Sequence, residues 1–294
     1  MIATSAPLAD QIAATVRARA ELEKAVFPHP KKPRILAVAN QKGGVGKTTS
    51  AVNLAVALAK AGLSVLAIDA DPQGNASTAL GIDHGIGTPS TYDLLNGSKR
   101  LVECVQQSPE VESLLVCPAT IDLSGAELEL SARTRREFIL ADALTEFLAV
   151  NRHVEIIVID CPPSLGLLTL NALVAADRVV VPIQAEYYAL EGLSMLIQTI
   201  QRIQDYLNPR LEIEAILLTM FDRRTNLSAE VAAELREYFP DKVLDTVIPR
   251  SVKLSEAPSF GTSIFGHDPR GVAAVAYSMA ALEIANRLAG AGEE

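Results

Sequence analysis

The apolar positions of the chain fall into short runs separated by longer, periodically apolar stretches. Residues 35–39 form an uninterrupted apolar run, and 63–68, 155–159, 178–183 and 213–218 repeat the pattern, with 243–248 as a sixth instance. Runs of this length without polar alternation mark strands buried on both faces. Between them the apolar period lengthens to that of a helix, over residues 48–60, 134–149, 165–175, 190–206 and 228–238, and a last helix is expected over 272–288. Gly62 stands where the first of these helices needs a left-handed cap. Strands alternating with helices predict an α/β fold, a mostly parallel twisted sheet with helices on both faces. No internal repeat or linker divides residues 34–294, which are read as one domain.

Residues 1–33 stand apart as an N-terminal extension. A helix is expected over 10–27, with Ile12, Val16 and Ala20 along one side. Pro28, Pro30 and Pro33 stop it, because proline lacks the amide donor and clashes with the preceding turn. The helix reads either as a loosely attached leader or as a docking arm for a partner or a second subunit.

Composition narrows the function classes. With 294 residues and 49% hydrophobic content the chain can bury a substantial core. No apolar stretch reaches the ~18 to 20 residues of a membrane span. Asp10 interrupts any secretory leader pattern, so a cytoplasmic setting is expected. Cys104, Cys117 and Cys161 are far apart and form no CxxC pair, which predicts buried thiols and not a disulfide, zinc or iron–sulfur site. His29, His84, His153 and His267 fall in expected loops or at element edges, and no Ser/His/Asp set emerges. A net charge of −9 means that any contact with nucleic acid must come from a local basic patch.

The candidate chemistry begins at Gln41-Lys42-Gly43-Gly44-Val45-Gly46-Lys47-Thr48-Thr49, between an expected strand and an expected helix. Glycines there let backbone amides converge on phosphate oxygens, and the helix N-terminus adds partial positive charge. Lys47 is placed to reach β- and γ-phosphates, and the Thr48 hydroxyl to ligate Mg²⁺. Gln41 stands where the strict P-loop pattern has glycine, and Lys42 adds a second lysine. A dinucleotide-binding loop fits poorly, because its third glycine falls at Thr49. Asp69-Ala70-Asp71-Pro72-Gln73-Gly74-Asn75 follows the second expected strand, so its carboxylates face the ligand crevice of an α/β sheet. A calcium loop would need glutamate where Leu80 stands. Asp160 ends a further apolar run, where P-loop proteins place the acid that holds Mg²⁺ directly or through water.

Lys42-Gly43-Gly44-Val45-Gly46-Lys47-Thr48 resembles the deviant Walker A motif. With it stand Asp69 to Asn75, Ile159-Asp160-Cys161-Pro162-Pro163, Leu218-Thr219-Met220-Phe221-Asp222, Ile248-Pro249-Arg250 and Leu254-Ser255-Glu256-Ala257-Pro258. The set resembles the ParA/Soj partitioning ATPases from about Arg34 onward, which makes residues 34–294 a P-loop ATPase domain. The resemblance implies Lys42, Lys47 and Asp71 as the catalytic set, with Lys42 reaching the partner subunit's ATP and Asp71 orienting the attacking water. It implies an ATP site of Lys42, Gly43, Gly44, Val45, Gly46, Lys47, Thr48 and Thr49, with Met220, Pro249, Arg250 and Ser251 near the adenine. Ser251 replaces an asparagine common in the family. Thr48, Asp69 and Asp160 would hold Mg²⁺, the two acids through water.

The resemblance further implies a cycle. ATP closes a homodimer, the dimer binds double-stranded DNA without sequence preference, and a ParB-type protein stimulates hydrolysis and release. That places the protein on the nucleoid. Of the basic residues Arg223, Arg224, Arg250, Lys253 and Arg270, the expected DNA contacts are Arg224 and Lys253. The alternative is a MinD-like ATPase acting on the membrane. It needs a basic amphipathic anchor, whereas residues 281–294 carry one basic residue, Arg287, and end in two glutamates. An iron–sulfur carrier lacks its cysteines here, and a small-molecule ligase on the same fold lacks an identifiable substrate pocket.

Overall fold

In the computed structural model, which describes residues 6–186, 189–222 and 224–290, helix α1 (Ala6–Leu22) precedes the sheet. Strand β1 (Arg34–Val38) runs through the glycine-rich turn into α2 (Lys47–Lys60). Strand β2 (Val65–Asp69) leads through short helices α3 (Asn75–Ala79), α4 (Thr91–Asn96) and α5 (Leu101–Cys104) to a hairpin of β3 (Gln106–Gln107) and β4 (Leu114–Cys117). Helices α6 (Leu123–Leu130) and α7 (Ile139–Val150) precede β5 (Ile156–Asp160). Then come α8 (Leu167–Ala175), β6 (Arg178–Gln184), α9 (Ala189–Tyr206), β7 (Glu212–Thr219) and α10 (Asn226–Tyr238). The described chain closes with α11 (Val252–Glu256), a 3-10 turn (Ala257–Phe260), α12 (Ile264–His267) and α13 (Val272–Gly290).

The sheet order is β3-β4-β2-β5-β1-β6-β7. Every neighbouring pair is parallel except β3 with β4. The apolar runs follow from this, since successive side chains of a central strand enter different cores. In β5, Ile157 and Ile159 join Leu140, Leu168 and Leu196 on one face, while Ile156 and Val158 join α2 and α13 on the other. Alanines of α2 let that helix lie close to the sheet, and the Tyr277 hydroxyl meets Ser50 Oγ at 3.2 Å to tie α13 to α2. Gly62, at φ 99°, turns the chain out of α2 as expected.

Three expectations change. The run 243–248 is not a regular strand. It touches β7 at its two ends, through an isolated bridge of Ile216 with Val243 and through the Ile248 amide, which donates to the Leu218 carbonyl at 2.8 Å. Glu283 of α13 takes the amides of Asp245 and Thr246, each at 2.9 Å, and so interrupts the ladder. The helix of the extension ends at Leu22, ahead of residue 27. It lies beside α13, where Ala14 and Ala18 face Val275, Ala276 and Met279 around a cavity of ≈ 560 Å³. The stretch 134–149 becomes helical only from Ile139. Among the described residues no helix is long and apolar enough to cross a membrane, and the three cysteines are buried and unbridged.

Candidate nucleotide site

The turn between β1 and α2 depends on glycine at two points. Gly44 and Gly46 have φ of 75° and 84°, a region that costs any residue with a Cβ. Neighbouring strand ends hold the loop. Thr219 Oγ1 donates to the Val45 carbonyl at 2.8 Å, Asn40 Nδ2 donates to the Pro182 carbonyl at 2.8 Å, and Asn40 Oδ1 accepts from the Lys42 amide at 3.0 Å. The first amides of α2 therefore stand fixed at the carboxyl edge of the sheet, where a phosphate fits.

The two lysines of the loop point differently. Lys47 is buried, and its ammonium donates to the Lys42 carbonyl at 3.2 Å. Burial lowers its pKa, opposed by the nearby charges of Asp160 and Asp71. Lys42 is 41% exposed along its side chain and pairs instead with Glu186, Nζ to Oε2 at 3.0 Å.

The carboxylates converge because their strands are neighbours. Asp69 and Asp160 are register partners on β2 and β5, and Val38 of β1 pairs with Asp160 from the other side. Asp69 is fully engaged. It accepts from the Ser77 amide at 2.8 Å, the Ser77 hydroxyl at 2.7 Å and the Asp71 amide at 3.1 Å. Burial still raises its pKa to about 6. Asp160 is buried with no hydrogen-bond partner at either oxygen. Burial, and then the charge of Asp69, push its pKa well up, and the neighbouring Thr48 hydroxyl offsets this only in part without a well-formed hydrogen bond. Asp71 sits in a tight turn, its Oδ1 accepting from the Gln73 amide at 3.0 Å and its carbonyl from Gly74 at 2.9 Å.

These residues fit a magnesium nucleotide. A buried, unpartnered carboxylate beside a lysine and a threonine hydroxyl suits the water shell of Mg²⁺. Among the described residues no three His, Cys, Asp or Glu side chains form a metal cage. Magnesium does not need one, since phosphates and water supply most of its ligands. Asp160 is the better candidate of the two acids, because Asp69 already anchors the Asp71 turn.

The two segments that carry the expected adenine residues meet through Phe221 and Pro249. Phe221 bridges Pro249, its amide donating to the Ile248 carbonyl at 2.9 Å, and the Arg250 amide donates to the Phe221 carbonyl at 3.2 Å. Met220 has a left-handed φ of 50°, and its neighbour Thr219 is the residue that holds Val45. Ser251 begins α11. A second cavity, of ≈ 260 Å³, joins Thr48 and Thr49 to Leu254 and Pro258. Sequence reasoning missed Asn40, Ser77 and Glu186, none of which belongs to a phosphate-loop pattern. Thr219 stood inside a quoted motif without a role.

Of the expected DNA contacts, Arg224 forks onto Asp222 at 2.9 and 2.8 Å. It holds that carboxyl down at about pKa 2. Lys253 pairs with Glu256 at 3.3 Å. Both basic side chains are more than half exposed, at 85% and 56%. Arg223 lies outside the described residues.

A family model described as an AAA domain matches residues 33–213. The chromosome partitioning protein ParA of Caulobacter vibrioides is 51% identical over 254 residues, covering 86% of this chain and 94% of that protein. The chain belongs to the ParA/Soj family of partitioning ATPases. The sporulation initiation inhibitor protein Soj of Bacillus subtilis is 52% identical over 252 residues, covering 86% of this ParA/Soj chain and 98% of its own. A solved structure of cobyrinic acid a,c-diamide synthase from Mycobacterium smegmatis, with bound ATP analog and magnesium, is 38% identical with a TM-score of 0.69. It covers 78% of this chain, which in turn spans 93% of it.

Proposed function

We propose that this chain is an ATP-driven partition switch, monomeric without ATP and closed by ATP into a homodimer that binds double-stranded DNA without sequence preference. The observation that carries the reading is the division between its lysines: Lys47 is folded into its own site, and Lys42 is turned to the surface. A lysine that completes the partner's site makes dimer stability depend on the γ-phosphate.

The loop amides from Gly43 to Thr49 and the N-terminus of α2 bind the phosphates of ATP. Lys47 exchanges the Lys42 carbonyl for phosphate oxygens. Thr48 directly, and Asp160 and Asp69 through water, would hold Mg²⁺, which when bound neutralises charge on the phosphates. Asp71 orients the attacking water. Met220, Pro249, Arg250 and Ser251 border the adenine. Little covalent chemistry is required of the protein, so intrinsic hydrolysis is slow and open to acceleration by a ParB-type partner, whose action returns the dimer to monomers and frees the DNA. Residues 1–33 are an extension, helical over Ala6–Leu22, appended to a single ATPase domain, and the protein works in the cytoplasm on the nucleoid.

The test is co-sedimentation of Asp71→Ala with DNA, in ATP and in ADP, at two salt concentrations, with anionic liposomes in parallel. ATP-dependent, salt-sensitive binding to DNA alone is expected. Binding to liposomes alone would transfer the protein to the MinD-like class. A monomeric Asp71→Ala protein in saturating ATP would contradict the roles given to Asp71 and Lys42.

A further inference from the structure

We propose that Glu186 is a positioning residue for this site, a counter-ion that parks Lys42 in its own protomer until a second protomer presents ATP. The inference rests on the reading of Lys42 as the lysine that crosses the dimer. Glu186 follows β6, and both of its oxygens are engaged: Oε2 receives the Lys42 ammonium at 3.0 Å, and Oε1 accepts from the side-chain Nε2 of Gln184, the last residue of β6. The same strand end holds the Lys42 backbone, because Asn40 bridges the Pro182 carbonyl and the Lys42 amide. One end of β6 therefore fixes both the root and the tip of Lys42.

The strength of the pair suits a latch. Lys42 and Glu186 are 41% and 46% exposed, so solvent screens their attraction. A γ-phosphate in a closed, water-poor interface offers more negative charge at lower local dielectric and outcompetes one exposed carboxylate. ADP offers no γ-phosphate, and the pair stays shut. Lys47 adds an order of events. Its ammonium rests on the Lys42 carbonyl at 3.2 Å, so its transfer to phosphate frees the backbone of the parked residue. ATP in the protomer's own site loosens Lys42, and ATP in the partner's site captures it.

Removing the Glu186 charge should therefore ease dimerisation. The experiment measures the ATP concentration for half-maximal dimer by sedimentation velocity, with full-length protein in the Asp71→Ala background. Glu186→Gln, Glu186→Asp, Lys42→Ala and the parent are compared at two salt concentrations, and monomer affinity for a fluorescent ATP analogue is measured in parallel. Glu186→Gln should dimerise at about three-fold lower ATP, as expected of an exposed ion pair. Monomer affinity should stay unchanged and the advantage should shrink at high salt, while Glu186→Asp restores the parent value. A dimer that forms normally in the parent but needs equal or more ATP in Glu186→Gln would overturn the latch and leave the role of Lys42 standing. No ATP-dependent dimer in the parent would remove the crossing role of Lys42 and the latch with it. Thermal melts of each variant separate both results from misfolding.

Discussion

Asp69 and Asp160 sit side by side in the sheet register yet differ in what surrounds them. Three donors satisfy Asp69, whereas Asp160 is buried with both oxygens unpartnered. An unpaired buried carboxylate costs stability, so a protein keeps one where a ligand will use it. Folding raises the pKa of both groups, Asp69 to about 6 and Asp160 well up. The folded state therefore binds more protons than the unfolded one from the ordinary carboxylate range up through about 6 and beyond, and stability is lost as pH rises across that window. Asp160→Asn should melt a few degrees above the wild type without nucleotide, with a larger gap at pH 7.5 than at pH 5.5, and should lose Mg²⁺-dependent hydrolysis. Melting curves at the two pH values and a phosphate-release assay check this. A variant melting below the wild type at pH 7.5 would refute the account. The sequence marked both acids by their place after apolar runs, but not which one was satisfied, because that depends on Ser77, eight residues away from Asp69.

Elements were legible where periodicity was long and uninterrupted. The central strands and α2, α8, α9, α10 and α13 lie within a few residues of expectation, because burial on both faces leaves a plain apolar signature. The hairpin of β3 and β4 was missed: Leu114–Cys117 is four residues long, and Gln106–Gln107 carries no apolar pattern. The run 243–248 misled for the opposite reason, since Val243, Leu244 and Ile248 are buried while Glu283 takes the two amides in its middle. A contact between short elements fixes the segment that reaches the nucleotide loop. Gly81, after α3, has φ 66°, and a Cβ there would stand 2.7 Å from the Gly261 carbonyl oxygen. Gly81→Ala should cost about 2 kcal/mol from backbone strain and overlap. It should also weaken ATP binding, because the segment it displaces carries Leu254 and Pro258 of the cavity beside Thr48. Gly85→Ala is the control, with an ordinary 3.5 Å contact and no positive φ. Denaturant unfolding and nucleotide titration distinguish them, and equal behaviour of the two variants would show that the Gly81 contact is slack.

At the scale of the molecule the proposed DNA binding has to be reconciled with a net charge of −9. Arg224 and Lys253 supply local charge, but each is already paired, with Asp222 and Glu256. Under the proposed function DNA phosphates would have to displace those carboxylates, so one protomer would gain little from each contact. The proposed dimer would present both sets at once, making the second engagement intramolecular. The ATP dependence proposed for DNA binding would then follow from avidity, with no change in the basic residues themselves. Arg224→Ala combined with Lys253→Ala would remove the four phosphate contacts that the proposal gives each dimer. The plot of log K against log salt should flatten by about 3 to 4, at roughly 0.9 per contact. ATP-dependent dimerisation should be unaffected. Asp222→Ala with Glu256→Ala should act in the opposite direction and tighten DNA binding, since the phosphates no longer compete with an internal carboxylate. Fluorescence anisotropy with a short duplex over a salt series reads both pairs. An unchanged slope in the first pair would move the DNA surface elsewhere, and no tightening in the second would mean that Arg224 and Lys253 do not exchange their carboxylates for phosphate.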